Sequence, residues 1–388
     1  MRLAALDGMR GLAVLAVLGY HAHLHWMRGG YLGVDVFFIL SGYLITMQLL
    51  RTERARSLRE SARFYGLFLA HRATRLLPAL GVMLVASWLL LPWLDLNPSN
   101  AKACAVRAAT YSMNMPGPET ERCPAVWHIS WSLAAEVQFY AIWPVLLLGV
   151  LALARRVRAG TLRAASAMVL GAFGAAVVWQ LWLWTLPGGK QRFLFSPDGR
   201  SVILLVGCAV GLMTAQRRGW LAAWMASRWA SWLALSALVV AIGWGRSTGP
   251  VPAVGFYLMV AAATTVLVVQ AVSVTAPVLP SIVTNPVMTW VGRVSYSLYL
   301  WHEIAYALSR SLALESKATT TAVGVGLALI AAAASYHWVE VPAQRSLRKM
   351  LPRLDSSRRG APRRNSGPSL VTAAPVGSGA PVADAAAA

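Results

Sequence analysis

Ten apolar segments, each long enough to cross a lipid bilayer, most constrain the fold of this 388-residue chain. A transmembrane helix needs about 20 apolar residues, whereas an outer-membrane barrel alternates apolar and polar residues over segments of about 10 residues. The segments here are long and unalternating, so they predict an all-α, polytopic bundle of about ten transmembrane helices. The predicted spans lie near residues 9–27, 31–50, 77–95, 131–153, 164–186, 200–216, 229–245, 252–274, 286–308 and 319–340.

The composition agrees with a membrane protein. Hydrophobic residues make up 57% of the chain and charged residues only 13%, whereas soluble domains average about 25% charged residues. The formal net charge of +21 would suggest a nucleic-acid partner in a soluble protein. In a membrane protein, lysine and arginine in short loops set the topology, so we expect the lipid bilayer as a partner and no nucleic acid. The first segment lacks a small-residue cleavage site and is expected to remain as a signal anchor.

The distribution of arginine predicts the orientation. The 51–77 connection holds seven arginines, and the connections at 155–163 and 217–228 hold four and three more. The connections on the opposite side carry fewer basic residues over a greater length and mix them with acids. Because basic loops stay in the cytoplasm, both termini are predicted to be cytoplasmic.

The chain changes character near residue 345. We predict a membrane domain over residues 1–345 and a tail over residues 346–388 that is first basic and then rich in Ala, Pro and Gly. A segment of this composition cannot bury a hydrophobic core, so the tail is predicted to be disordered. Its arginines could contact anionic lipid on the cytoplasmic side.

Ionisable residues inside the first apolar segment are the strongest functional signal. Arg10 and His21 are eleven residues apart, which puts them on one helix face about 16 Å apart along the axis. Ionisable groups are costly in hydrocarbon and usually mark function there. The structural alternatives are that Arg10 only anchors the helix at the interface and that His21 is a packed histidine.

Six blocks of sequence follow one another from about residue 3 to 345. They are LDGMRGLAVLAVLGYH, GGYLGVDVFFILSGYLIT, FLAHRATRLLP, WSLAAEVQFYAIWP, WVGRVSYSLYLWHE and VEVP. Together, in this order, the blocks resemble those of the integral-membrane acyltransferase 3 family. One departure is the Ala134–Ala135 pair, where a more polar pair is common in the family. A second is that the hydrolase-like domain appended in some members is not expected here.

The resemblance implies an enzyme of the bacterial cell membrane. Such an enzyme transfers a short acyl group, acetyl or propionyl-like, from acyl-CoA to a hydroxyl, with no tightly bound cofactor. Family acceptors include envelope and secreted polysaccharides, lipid-linked sugars, nodulation oligosaccharides and macrolide antibiotics. The sequence leaves open whether the acceptor is an envelope glycan or a glycosylated small molecule such as a macrolide.

Depth along the predicted spans separates the ionisable groups into two layers. Arg10, Arg72 and Arg75 fall in the cytoplasmic layer, where planar guanidinium groups suit the phosphates of acyl-CoA. The alternative for Arg72 and Arg75 is a topology signal alone. Arg293 falls in the same layer, either as a further donor group or paired with Glu340.

The middle-to-outer layer holds the predicted acid–base groups, His21, Asp35, Glu136 and His302. Histidine titrates near neutrality and a carboxylate can fix its tautomer. His21 is therefore the candidate general base, with Glu136 or Asp35 orienting it. No metal is predicted, because His21 and His25 at i, i+4 lack a third ligand at suitable spacing.

Two further points stay open on the sequence alone. A small-solute transporter would explain buried charges equally well, although it would not explain the ordered blocks. A regulatory or lipid-binding membrane protein is a third possibility. Cys104 and Cys123 share the predicted external 96–130 loop and could form a disulfide.

Overall fold

The computed structural model describes residues 4–52, 58–93, 100–115, 123–216, 224–225, 227–245, 250–272 and 281–350. These residues form ten helices of 17 residues or more, numbered α1 to α10 here. Their bounds are Ala4–His21, Gly33–Thr52, Leu58–Leu90, Ser130–Arg156, Thr161–Leu183, Pro197–Ala215, Arg228–Trp244, Pro250–Val272, Pro286–Ser311 and Lys317–Ala334.

Each of the ten predicted spans overlaps one of these helices, and the described residues contain no strand, which confirms the all-α fold. Seven helical segments among them are long and apolar enough to cross a membrane by length and composition. The other three are α7, which is shorter at 17 residues, and α1 and α9. These last two carry the buried polar residues described below.

Shorter elements connect the long helices. A π-helical turn, Ser335–Glu340, continues α10 directly into Val341–Met350. The π-helical turn runs into the VEVP block, which occupies residues 339–342, and it places Glu340 in the bundle interior, where it is buried. The remaining short elements are Gly30–Leu32, Leu91–Trp93, Ala101–Ala109, Ala125–His128, Gly189–Phe195 and Ser281–Thr284.

Several helices begin at a residue whose side chain caps the first turn. Asn285 precedes α9 and its side-chain oxygen accepts a hydrogen bond from the Met288 backbone N–H at 2.8 Å. Pro286 occupies the first position of that helix, where its missing N–H has no helical partner to lose. Ser316 caps α10 in the same way, accepting from the Thr319 N–H at 3.0 Å.

Close helix packing brings the polar segments together. Helix α1 packs against α9, and α2 packs against α6. At the second contact, a Cβ atom added to Gly42 would lie 2.3 Å from the carbonyl oxygen of Leu204 and 3.1 Å from the Cα of Gly207. Only glycine permits this approach, which agrees with the packing role expected of small residues between membrane helices.

A disulfide joins Cys104 to Cys123, with 5.6 Å between their Cα atoms. The sequence alone did not decide whether this disulfide forms, and the structure contains it. It ties the Ala101–Ala109 helix to the segment that leads into α4. Cys208 is the free cysteine among the described residues, and it is buried on α6.

We expect the Cys104→Ser/Cys123→Ser double variant to be inactivated at a lower temperature than wild-type protein. A bond that closes a loop of 19 residues contributes about 3 kcal/mol in the chain-entropy account. The midpoint of thermal inactivation should therefore fall, while Cys208→Ala leaves the disulfide in place and serves as the control. Alkylation of denatured wild-type protein should modify one cysteine before reduction and three after it; three before reduction would contradict the bond.

The predicted C-terminal tail lies mostly outside the described residues. The helix Val341–Met350 extends five residues beyond the predicted domain boundary at residue 345. Residues 351–388, which make up most of the predicted tail, lie outside the described residues. The tail's predicted disorder therefore stays a prediction.

Candidate active site

Two histidines from distant parts of the chain meet between α1 and α9. His21 is the last residue of α1, and His302 lies in the middle of α9. Nε2 of His302 lies 3.2 Å from Nδ1 of His21, and the ring centroids are 4.9 Å apart. His302 is fully buried, whereas the side chain of His21 keeps 26% of its surface exposed. The exposed fraction makes His21 the member of the pair that a substrate can reach.

Neighbouring carbonyl groups assign the tautomer of each ring. Nδ1 of His302 lies 2.6 Å from the carbonyl oxygen of Tyr299, so this nitrogen carries the proton and Nε2 accepts. Nδ1 of His21 faces two acceptors, His302 Nε2 and the carbonyl oxygen of Val17 at 3.0 Å, so it also carries its proton. The lone pair of His21 is therefore on Nε2, as a general base requires.

The carboxylate beside this pair is Glu303. Its Oε1 lies 3.8 Å from Nε2 of His21 and 3.7 Å from Nε2 of His302, and the residue is almost fully buried. Glu136 and Asp35, the carboxylates expected to orient His21, form hydrogen bonds or ion pairs with other residues, so their orienting role stays a prediction. Counting depth along a span gives the height of a residue, but it does not say which helix the residue faces.

Glu136 belongs with the arginines rather than with the histidines. Its Oε1 accepts hydrogen bonds from the hydroxyls of Ser41 and Tyr140. The guanidinium of Arg72 lies 4.9 Å from the centroid of the Tyr140 ring. Arg10 and Arg72 each interact electrostatically with Glu136. Glu136 is thus an anionic group within a largely cationic cluster, and Glu340 also interacts electrostatically with Arg10 and Arg75.

The three predicted donor-binding arginines meet in this cluster. Arg10 and Arg72 each lie close enough to Arg75 for their charges to interact. Arg72 donates a hydrogen bond to Gln48 Oε1 at 3.3 Å, and Nε of Arg10 is buried without a hydrogen-bond partner. Among the described residues, none of the three forms an ion pair within 4.0 Å. Their charge is therefore available to an anionic ligand.

A small cavity of about 50 Å³ borders the arginine cluster. Arg10 and Glu136 line it, together with Ser132, Ser295 and Tyr299. Tyr299 links the two sites, because its ring borders the cavity and its backbone carbonyl holds His302. The cluster and the histidine pair therefore lie along one polar seam between α1, α4 and α9.

Asp35 is part of a separate buried ion pair. Its Oδ1 lies 2.5 Å from Nη2 of Arg200 on α6, and both residues are almost fully buried. The guanidinium of Arg200 also lies 4.8 Å from the centroid of the Tyr257 ring. This pair joins α2, α6 and α8, and breaking such a buried pair is strongly destabilising. The position suits a structural role, and the catalytic role expected for Asp35 stays a prediction.

The alternative pairing of Arg293 with Glu340 does not occur among the ion pairs of the described residues. Arg293 is exposed on α9, whereas Glu340 is buried and accepts a hydrogen bond from the hydroxyl of Ser297. The hydroxyl oxygen of Ser335 lies 3.0 Å from that of Ser297. Glu340 therefore anchors the π-helical turn to α9.

The cluster of His21, His302 and Glu303 is the set of described side chains whose donor atoms could hold a metal, since those atoms lie within 4.8 Å of one another. His25, which the sequence spacing brought into consideration beside His21, is not part of it. Helix α1 ends at His21, so the i, i+4 spacing that would bring His25 alongside does not apply. The hydrogen bond between the two rings accounts for the same cluster without a metal.

Sequence reasoning missed Glu303, Arg200 and Tyr299 as site or support residues. Glu303 offered a signal, because it is an acid inside the predicted 286–308 span directly after His302. Arg200 offered a weaker one at the very start of the predicted sixth span. Tyr299 acts here through its backbone carbonyl, which leaves no mark in the sequence.

The sequence matches the acyltransferase domain of the acyltransferase 3 family over residues 3–337. The match therefore covers every long helix and both halves of the polar seam. No solved structure matches the chain.

Several bacterial proteins are similar to the chain. The peptidoglycan O-acetyltransferase OatA of Listeria monocytogenes is 31% identical over 77% of this chain and 48% of its own length. The putative peptidoglycan O-acetyltransferase YrhL of Bacillus subtilis is 29% identical over 87% of this chain and 54% of its own length. A putative O-acetyltransferase of Staphylococcus aureus is 27% identical over 87% and 56%. The chain spans about half the length of the curated relatives it matches.

Proposed function

Because the chain belongs to the acyltransferase 3 family, we propose that it is a bacterial membrane O-acyltransferase that moves a short acyl group from acyl-CoA to a hydroxyl of a glycan. The observation that carries the proposal is the polar seam itself. One end offers a histidine with a free ring nitrogen beside a buried acid, and the other end offers three arginines without ion-pair partners among the described residues.

His21 performs the proton transfer in this proposal. Its Nε2 takes the proton of the acceptor hydroxyl as the oxygen attacks the thioester carbonyl, and the carbon–sulfur bond breaks. The departing CoA sulfur recovers that proton from the imidazolium, so His21 ends neutral. His302 holds the ring through the Nδ1 hydrogen bond, and the charge of Glu303 stabilises the imidazolium while it exists.

Arg10, Arg72 and Arg75 bind the phosphates of the donor. Guanidinium groups match phosphate oxygens with paired hydrogen bonds, and a buried cationic cluster attracts an anion strongly because the surroundings screen poorly. Arg10 and His21 lie about 16 Å apart along α1, a separation that suits a donor whose thioester is held away from its phosphates by an extended arm. Glu136 limits repulsion among the arginines before the donor arrives.

The acceptor is proposed to be an envelope glycan. Two relatives are named peptidoglycan O-acetyltransferases, which supports a saccharide more than a macrolide. Both termini are proposed to be cytoplasmic, as the arginine-rich connections predict. The arginine cluster then opens towards cytosolic acyl-CoA, and the histidine pair lies nearer the outer surface.

Acceptor-dependent release of CoA tests the proposal. Purified full-length protein in detergent should release CoA thiol from acetyl-CoA faster when a soluble N-acetylglucosamine tetrasaccharide is added. A glycosylated macrolide, tested in parallel, should have a smaller effect; a larger effect would move the acceptor to that class. A transporter would consume no acetyl-CoA with either compound, and that result would contradict the proposal.

We expect Glu303→Gln to lower kcat about 10- to 100-fold with little change in the KM of either substrate. Removing the carboxylate removes the charge that stabilises the imidazolium, an interaction present during transfer and absent from ground-state binding. Glu303→Asp should recover part of kcat because it restores the charge. Glu315→Gln, at an exposed position after α9, is the control. A fall in expression with unchanged kcat would instead indicate a structural role.

A further inference from the structure

A cavity of about 750 Å³ opens at the end of the bundle where α4 begins and α5 ends. Its lining comes from three sources: the disulfide-linked Cys123, the short helix that ends at His128, and the connection from Trp184 to Phe195. Gly188 in that connection has φ +71°, a left-handed conformation that glycine adopts without strain. The turn at Gly188 lets residues on both of its sides line the cavity.

The cavity wall is connected to the proposed catalytic histidine through His128 and the residue that follows it. His128, which lines the cavity, is close enough to His21 for their charges to interact. The next residue, Ile129, accepts a hydrogen bond through its backbone carbonyl from the hydroxyl of Tyr299 at 2.8 Å. Tyr299 also holds His302 through its own carbonyl. The cavity wall is therefore fixed to the helix that positions the histidine pair.

The lining combines ring faces with polar groups. Phe195 meets the His128 ring edge-on, with 5.1 Å between the centroids, and the indole of Trp184 also borders the cavity. Lys190 and Gln191 add an ammonium group and an amide, and both are exposed. Pockets that bind organic ligands pair aromatic surfaces with a few placed hydrogen-bonding groups in this way. A sugar offers C–H faces to rings and hydroxyls to polar side chains.

We infer that this cavity is the acceptor subsite, and that it binds a saccharide so that one hydroxyl reaches Nε2 of His21. The inference rests on the proposed function and adds the location and the residues of acceptor binding. Its size fits one or two sugar rings, because ligand pockets of about 300–1,000 Å³ hold small organic molecules. The arginine cluster is at the other end of the seam, so donor and acceptor approach from opposite ends.

The test measures how each KM responds to changes in the cavity lining. Trp184→Ala should raise the KM for the N-acetylglucosamine tetrasaccharide about tenfold, the loss expected for a ring contact of this kind. Lys190→Ala should raise it several-fold, and because Lys190 is exposed this variant should fold normally. The KM for acetyl-CoA should stay unchanged in both variants.

Matched controls come from exposed residues that are not part of the cavity lining. Trp182→Ala removes an exposed indole two residues from Trp184, and Lys102→Ala removes an exposed lysine from the Ala101–Ala109 helix. Neither should alter the KM for the tetrasaccharide. An unchanged saccharide KM in both cavity variants, with active wild-type protein, would overturn the inference and leave the proposed function standing. Wild-type protein that releases no CoA with the tetrasaccharide would overturn both.

Discussion

Replacing His21 with alanine is expected to reduce acyl transfer by about 10²- to 10⁴-fold, the usual contribution of a general base. His21 is the partly exposed member of the histidine pair, and its Nε2 carries the lone pair. His302 is not expected to take over this nitrogen's task, because it is fully buried and its Nε2 faces His21. Donor binding should change little, since the arginine cluster lies about 16 Å away along α1.

The measurement compares the transfer rate with acetyl-CoA affinity on detergent-purified protein. His25→Ala removes an exposed histidine that lies beyond the end of α1, so it serves as the control and should transfer at the wild-type rate. A His21→Ala variant that keeps wild-type transfer would return His21 to the role of a packed helix-end residue.

Replacing Arg10 is expected to weaken donor binding without slowing the transfer step. Arg10→Ala should weaken acetyl-CoA binding about 10- to 100-fold, as expected for a lost hydrogen bond between charged groups. Arg10→Lys keeps the charge but loses the planar fork, so we expect a loss of about tenfold. Once the donor is saturating, the transfer rate of Arg10→Lys should approach that of wild-type protein.

The control for this pair is Arg163→Lys, at an exposed position on α5, which should bind acetyl-CoA normally. Isothermal titration or competition with a labelled donor gives the affinities. If Arg10→Lys binds the donor as tightly as wild-type protein and instead transfers slowly, the arginine acts on chemistry and the division of labour along α1 is wrong.

The architecture was largely predictable because hydrocarbon imposes length and composition on each span. All ten predicted segments coincide with helices, since an apolar run near 20 residues has few alternatives in a bilayer. The helix ends were harder to predict: α1 stops at His21 rather than continuing to residue 27. Because of that shortening, His25 does not follow His21 by one helical turn.

Individual residues of the candidate site could be predicted from the sequence, but the contacts between them could not. Arg10 and His21 stand out because burying an ionisable group in a membrane helix is costly. The partner of His21 comes from a position 281 residues later in the chain, and no local pattern encodes that pairing. Glu136 was placed with the histidines by its depth, whereas its actual neighbours are set by the rotation of α4, which turns it towards Ser41 and Tyr140.

The central claim is His21-dependent transfer of an acyl group to a saccharide, and mass spectrometry of the acceptor tests it most directly. Full-length protein is incubated with acetyl-CoA that carries a deuterated acetyl group and with the N-acetylglucosamine tetrasaccharide. The account predicts a deuterated acetyl ester on the saccharide with wild-type protein and only background with His21→Ala. An unmodified saccharide with wild-type protein, or equal labelling by the two proteins, would contradict it.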